Sequence, residues 1–130
     1  MSASELRPAG NGRPLVALVC SIPLLAEAVT SALEFAEVRA FSGDQGDTAG
    51  LLRWLRPDAV VVDSDREAND AAAFALERGL PVVHISVREQ LLRVFHGGDW
   101  TVIDSGEDPT PEVIRNVVAG MLFAREAGLP

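Results

Sequence analysis

Two short, continuous apolar runs constrain the fold of this chain more than any other feature of its sequence. Residues 15–20 read LVALVC and residues 59–62 read AVVV, with no charged position in either run. A strand with one solvated face alternates apolar and polar residues, so unbroken runs of this length are typical of strands that are covered on both faces. The sequence therefore predicts a parallel sheet that is flanked by helices on both sides.

The rest of the chain alternates between strand-like and helix-like patterns. Ser21 is expected to cap the first helix, because its hydroxyl can accept a hydrogen bond from a free backbone N–H group. Five strands that alternate with five helices imply right-handed crossovers and an open sheet. The predicted fold class is α/β: a flavodoxin-like three-layer sandwich with a five-stranded parallel sheet of order 2-1-3-4-5 and helices on both faces. The predicted strands are 15–20, 37–41, 58–63, 80–86 and 100–103, and the predicted helices lie within 21–33, 48–56, 69–78, 88–96 and 110–125.

A length of 130 residues fits one domain. Residues 1–13 contain Ser, Pro, Gly and Asn without periodicity and are predicted to form a flexible tail. Residues 14–126 then form the domain, and residues 127–130 form a short C-terminal tail. The chain ends shortly after the last predicted helix, so we expect no output domain within it.

Acidic residues outnumber basic ones by 19 to 11, which gives a formal net charge of -8. Every basic residue is Arg, because the sequence contains no Lys. Direct binding to nucleic acid or to an anionic membrane is not expected, since both need clustered basic side chains. The single cysteine, Cys20, excludes an intramolecular disulfide. Without a secretory leader pattern or an apolar run of about 20 residues, the chain is expected to be cytoplasmic.

Polar residues follow the strands at the place where sheets of this order bind ligands. Cys20 and Ser21 end the first strand, Asp63 ends the third, Asp65 follows it, and Ser86 ends the fourth. We expect these five residues to line a possible ligand pocket. No cofactor is expected, because no Gly-rich phosphate-binding loop follows the first strand.

In order and spacing, residues 14–124 resemble a response-regulator receiver domain, which has a CheY-like fold. Residues 16–25 (VALVCSIPLL) look like the first strand and helix start of receivers that precede helix-turn-helix output domains. Residues 56–63 (RPDAVVVD) look like the third strand, which ends in the phosphoacceptor Asp. Residues 81–86 (PVVHIS) look like the fourth strand, which ends in the Ser or Thr that contacts the phosphoryl group. The resemblance implies that Asp63 and Ser86 form a degenerate phosphoacceptor site.

The chain departs from the receiver pattern where phosphorylation chemistry needs fixed residues. Cys20 and Ser21 stand at the two positions of the acid pair that binds Mg²⁺, and a thiol and a hydroxyl are poor substitutes for carboxylate ligands. Receivers also place a Lys at the end of the fifth strand, which here is Ile103 or Asp104. The resemblance therefore implies a stand-alone pseudo-receiver that does not use conventional aspartyl phosphorylation.

Receivers commonly make dimer or output contacts through the face of the fourth helix, fifth strand and fifth helix. The resemblance implies a homodimer or a protein partner at this face, with Arg93, Trp100 and Arg115 as possible interface residues. The alternative is a small-molecule-binding flavodoxin-like domain, with its ligand at the switch point between the first and third strands.

An enzyme that uses Cys20 or Asp63 is not expected. Cysteine nucleophiles are activated by a loop of amide donors that usually contains Gly and Arg. Residues 21–26 contain neither, and Pro23 lacks an N–H group. Cys20 is therefore predicted to be a small core residue. His84 and His96 lack a matching set of carboxylates in the sequence, so no metal site is expected.

Overall fold

The computed structural model describes residues 13–42, 47–103 and 109–126, with the backbone alone for residues 124–126. The tails predicted at 1–13 and 127–130 lie outside these ranges apart from Arg13, and so does Asp104. No helix among the described residues has the length and apolarity that a membrane span requires. In chain order the elements are β1 (Leu15–Cys20), α1 (Pro23–Ala32), β2 (Glu37–Ser42), α2 (Thr48–Leu55), β3 (Ala59–Val62), α3 (Asp65–Arg78), β4 (Val82–Ser86), β5 (Leu91–His96), β6 (Asp99–Ile103) and α4 (Pro111–Glu126).

The six strands form one sheet in the order β2-β1-β3-β4-β5-β6. The first four of these run parallel, which confirms the predicted α/β class and the predicted neighbours in this part of the sheet. β5 and β6 continue the sheet in antiparallel directions. The sheet therefore differs from the predicted five parallel strands at one edge, where it gains a strand and changes direction.

The helix predicted at 88–96 is wrong, because Leu91–His96 forms β5. Its side chains alternate between the two faces of the sheet: Leu92 and Val94 join one core cluster, and Phe95 joins the other. Gly97 and Gly98 have φ values of 65° and 93° and connect β5 to β6. A Gly-Gly pair between two apolar segments is a strong hairpin signal, since both turn positions need a positive φ. In the sequence, these glycines are equally compatible with the end of a helix. Residues 100–103, the predicted fifth strand, belong to β6.

The sheet separates two apolar clusters. α1 and α4 cover one face, where their side chains pack on residues of β1, β3, β4 and β5. α2 and α3 cover the other face, and the alanine-rich side of α3 lies directly on β3 and β4. β1, β3 and β4 are buried along nearly their whole length. Their carboxyl ends, which carry the predicted site residues, therefore meet at one edge of a packed core.

The helices begin in two different ways. Asp47, Ser64 and Thr110 each accept a hydrogen bond from the backbone amide three residues later, and so cap α2, α3 and α4. α1 begins after Ile22, whose side chain provides no cap. The prediction that the Ser21 hydroxyl caps α1 is wrong, because that hydroxyl contacts a neighbouring strand end instead.

Candidate functional site

The carboxylate of Asp63 accepts hydrogen bonds from the two residues that connect β1 to α1. The Ser21 amide donates to its Oδ2 at 3.0 Å and to its Oδ1 at 3.1 Å, and the Ile22 amide donates to Oδ2 at 3.3 Å. The Ser21 hydroxyl adds contacts of 3.3 Å to both oxygens. Ile22 is the N-cap residue of α1, and its own side chain provides no cap. Asp63 therefore holds the backbone at the entry to α1 against the end of β3.

Cys20 lies on the core side of this contact. Its side chain is buried in the cluster beneath α1 and α4. Burial raises the pKa of the thiol to about 12, and the negative charge of Asp63 acts in the same direction. The thiol is therefore protonated at neutral pH, which makes it a poor nucleophile and a poor metal ligand.

Ser86 is engaged at the end of β4. Its hydroxyl donates to Oε1 of Glu89 at 3.2 Å and accepts from the Glu89 amide at 3.3 Å. Ser86 is buried, whereas Glu89 is exposed. This pair of contacts closes the turn between β4 and β5, so the hydroxyl already has a donor and an acceptor within the chain.

His84 forms the centre of a polar group that sequence reasoning missed. Its Nδ1 accepts from Nε of Arg93 at 3.1 Å, and Nη2 of Arg93 lies 2.7 Å away. A guanidinium can only donate, so the proton of the neutral imidazole sits on Nε2. Nε2 lies 3.5 Å from Oδ1 of Asp65. Burial lowers the pKa of His84 below its ordinary 6.5 and the charge of Arg93 lowers it further, while Asp65 and other nearby carboxylates act in the opposite direction.

Trp100 packs against this polar group on the side of β6. The Arg93 guanidinium lies 5.0 Å from the Trp100 ring centre, a cation–π distance. The His84 and Trp100 rings meet edge to face at 6.1 Å, and Phe95 lies 5.2 Å from Trp100 on its other flank. Arg93 thus connects the buried histidine of β4 with the aromatic residue of β6.

An open cavity of about 660 Å³ lies at this end of the sheet. Three of the five predicted pocket residues line it, namely Asp63, Asp65 and Ser86, whereas Cys20 and Ser21 do not. Its walls carry three carboxylates and the guanidinium of Arg88, so the cavity is acidic. Within the ranges that the structure covers, no three His, Cys, Asp or Glu side chains are grouped so that they could hold a metal ion. The full lining is Ile22, Asp63, Ser64, Asp65, His84, Ser86, Val87, Arg88 and Glu89.

The three predicted interface residues do not share one surface. Arg93 and Trp100 are in contact on the face of the sheet that α3 covers. Arg115 is exposed on α4, which packs on the opposite face. The helix that would have joined these surfaces, the one predicted at 88–96, is strand β5.

Removal of the Asp63 carboxylate is expected to destabilise the domain. Asp63→Ala leaves the Ser21 and Ile22 amides without their acceptor, and the loss of hydrogen bonds to a charged group costs about 1–2 kcal/mol. Urea denaturation followed by circular dichroism measures this cost. Glu77→Ala removes an exposed carboxylate from α3 and serves as the control, with an expected change within about 0.5 kcal/mol. Equal stability of Asp63→Ala and the wild type would contradict a stabilising role for these hydrogen bonds.

Stability is expected to fall as the pH falls below the ordinary pKa of histidine. Because the folded state lowers the pKa of His84 below 6.5, the unfolded chain takes up a proton there that the folded chain resists. The stabilisation that depends on a neutral His84 is therefore complete above pH 6.5 and is lost below it. The free energy of unfolding then falls by up to about 1.4 kcal/mol per pH unit. His84→Gln should flatten the change in unfolding free energy between pH 7.5 and 5.5, and the exposed-site variant His96→Gln should keep it. Identical pH profiles of the unfolding free energy for the wild type and His84→Gln would show that His84 is not the source of this pH dependence.

Comparisons with known proteins address the fold. No protein-family model and no curated protein matches the chain. Among solved structures, the chain is similar to the crystal structure of the response regulator PhyR from Brucella abortus, with a TM-score of 0.65 and 16% sequence identity. The similarity covers 89% of this chain and 50% of that one, so the chain spans about half the length of its structural relative. At this identity the likeness establishes the fold alone, and the chain has a receiver-like α/β fold.

Proposed function

We propose that this domain is a signalling or regulatory module that acts through protein contacts and not through conventional aspartyl phosphorylation. The observation that carries the proposal is that both oxygens of the Asp63 carboxylate accept hydrogen bonds from the Ser21 amide, between β1 and α1. The role is that of a pseudo-receiver: a regulator and not an enzyme. A single buried cysteine fits a cytoplasmic location.

The side chains near Asp63 do not fit Mg²⁺. Receivers hold this ion with oxygen ligands, of which two are usually carboxylates. At the positions of that acid pair, Cys20 is buried with a protonated thiol, and Ser21 directs its amide and hydroxyl to Asp63. A cation at Asp63 would have to displace these donors and leave the Ser21 and Ile22 amides without an acceptor.

The surroundings of Asp63 also disfavour an added phosphoryl group. The Ser86 hydroxyl, which would contact that group, bonds to Glu89. The cavity carries the carboxylates of Asp65 and Glu89 beside Asp63, which would repel a phosphoryl dianion. The chain contains no Lys to balance this charge, and the guanidinium of Arg88 on the same cavity wall faces three carboxylates.

The proposed contact surface is the β5–β6 hairpin around Arg93 and Trp100. Trp and Arg are the residue types that contribute most to binding energy at protein interfaces. Here the two are in cation–π contact and partly exposed, with Trp100 on the edge strand β6 and Arg93 on the adjacent strand β5. Arg115 lies on the other layer, so we propose it as part of a separate contact on α4.

An NMR titration with Mg²⁺ and beryllofluoride tests whether aspartyl phosphorylation chemistry survives. Beryllofluoride imitates the phosphoryl group on an Asp only where the ion and the surrounding donors fit. We expect no saturable shift of the amide signals near Asp63 and Ser86 when beryllofluoride is added to the wild type. The Asp63→Asn variant should likewise show no saturable shift. Saturable shifts that are centred on these residues and vanish in Asp63→Asn would overturn the proposal.

A second candidate function is supported by the open cavity at the end of β3 and β4. Its volume of about 660 Å³ is within the range of small-molecule sites. The net negative lining favours a small organic cation such as an amine over a phosphate ester.

In a thermal-shift screen of amines, nucleotides and metabolites, a ligand bound by the native state raises the melting temperature. We expect no compound to do so; a shift that saturates and is lost in Asp65→Asn would favour this candidate over the first.

A further inference from the structure

The two edges of the sheet differ in how they are protected. β2 forms one edge and carries Glu37 and Arg39, which pair with each other at 3.4 Å. β6 forms the other edge and, within the described part of the chain, pairs with β5 alone. Its central residues read Trp-Thr-Val, with no charge and no Pro, and Val102 is 54% exposed. Charged and Pro residues are the usual means by which edge strands avoid pairing with other chains, and the middle of β6 has neither.

The sequence of β6 is complementary to itself in one antiparallel register. If Thr101 faces Thr101 of a second copy, all five residues of the strand pair. Trp100 then faces Val102 of the other copy, and Asp99 faces Ile103. No charged residue of β6 lies opposite its own copy in this register, so like charges do not meet directly across the strands.

The same register continues the packing within each subunit. Within the chain, Phe95 lies opposite Trp100, and Arg93 lies opposite Val102. Trp100 and Val102 are two residues apart and share one face of the sheet. In the paired edges, Val102 of one copy would cover the flank of Trp100 that Phe95 leaves open. Aromatic residues opposite β-branched residues, and Thr opposite Thr, are favourable cross-strand pairs.

We propose that this chain forms a symmetric homodimer in which two β6 edges pair antiparallel about Thr101, which joins two six-stranded sheets into one. The inference rests on the proposed function in one respect, which is that the β5–β6 hairpin is the contact surface. The partner at that surface is a second copy of this chain. A second copy fits because the register that buries Trp100 and Val102 is self-complementary. The net charge of -8 on each subunit opposes association, so the dimer is weak and becomes tighter as salt screens that charge.

Disulfide trapping tests the register directly. Residues that face each other in an antiparallel pair have Cα atoms about 4.5–5.5 Å apart, which is within the range that a disulfide bridges. Thr101 is exposed, and Thr101→Cys should therefore give a covalent dimer under mild oxidation as the main product. The native Cys20 is buried with a raised pKa and should stay unreactive.

The matched control is Asp99→Cys, an exposed position on the same strand. Its two copies would lie four residues apart along the joined edge, about 13 Å, which is too far for a disulfide. We expect little covalent dimer from this variant. Equal cross-linking of Thr101→Cys and Asp99→Cys would reflect random collision and would overturn the proposed register.

Charge placement at the two-fold axis gives an independent measurement. Thr101→Lys and Thr101→Glu should each weaken self-association by at least about tenfold in sedimentation velocity, because like charges then face each other. A one-to-one mixture of the two variants should associate again, since opposite charges meet. A wild-type chain that stays monomeric at all concentrations and salt levels, or a mixture that fails to recover, would overturn the homodimer. Neither result depends on the response of Asp63 to beryllofluoride, so failure of the dimer is distinguishable from failure of the proposed function.

Discussion

Burial of β1, β3 and β4 on both faces is the constraint on which the rest of this structure depends. Their apolar side chains need cover from two layers, so helices lie on both sides of the sheet. Parallel strands that are joined by such helices end at the same edge. Cys20 and Ser86 are the last residues of β1 and β4, and Asp63 follows β3, so the three residues come into one region.

Within that region, the Asp63 carboxylate is engaged by the chain itself. Both of its oxygens accept from the Ser21 amide, and Oδ2 also accepts from the Ile22 amide just before α1. Ile22 provides no capping side chain for α1, so Asp63 is the side chain that holds this connection in place. Asp63 thereby contributes to the stability of the fold, and Ser86 is similarly used in the turn that leads to β5.

The parallel half of the fold could be predicted because its pattern permits one reading, unbroken apolar strands separated by helical spacing. The hairpin could not be predicted by the same rule. In residues 91–96, Leu91, Leu92 and Phe95 suit one face of a helix, while alternate residues suit the two faces of a strand. Pairing with β4 decides between these readings, and it depends on residues distant in sequence. The contact of Arg93 with His84 was missed for the same reason, because it exists only when β5 lies beside β4.

The sequence by itself determined the α/β class and the strand ends at which Asp63, Asp65 and Ser86 lie, because the periodicity of apolar side chains is a local property that the chain carries wherever it folds. The order of the parallel strands followed from the fold type that such an alternation of strands and helices usually adopts. The sequence also determined that no Lys is present to contact a phosphoryl group. Only the tertiary structure decided that Asp63 binds the residues before α1, that Arg93 joins His84 to Trp100, and that the uncharged middle of β6 lies at an edge of the sheet. Each of these depends on which segments become neighbours in space, and hydrogen-bond partners over such distances are set by packing.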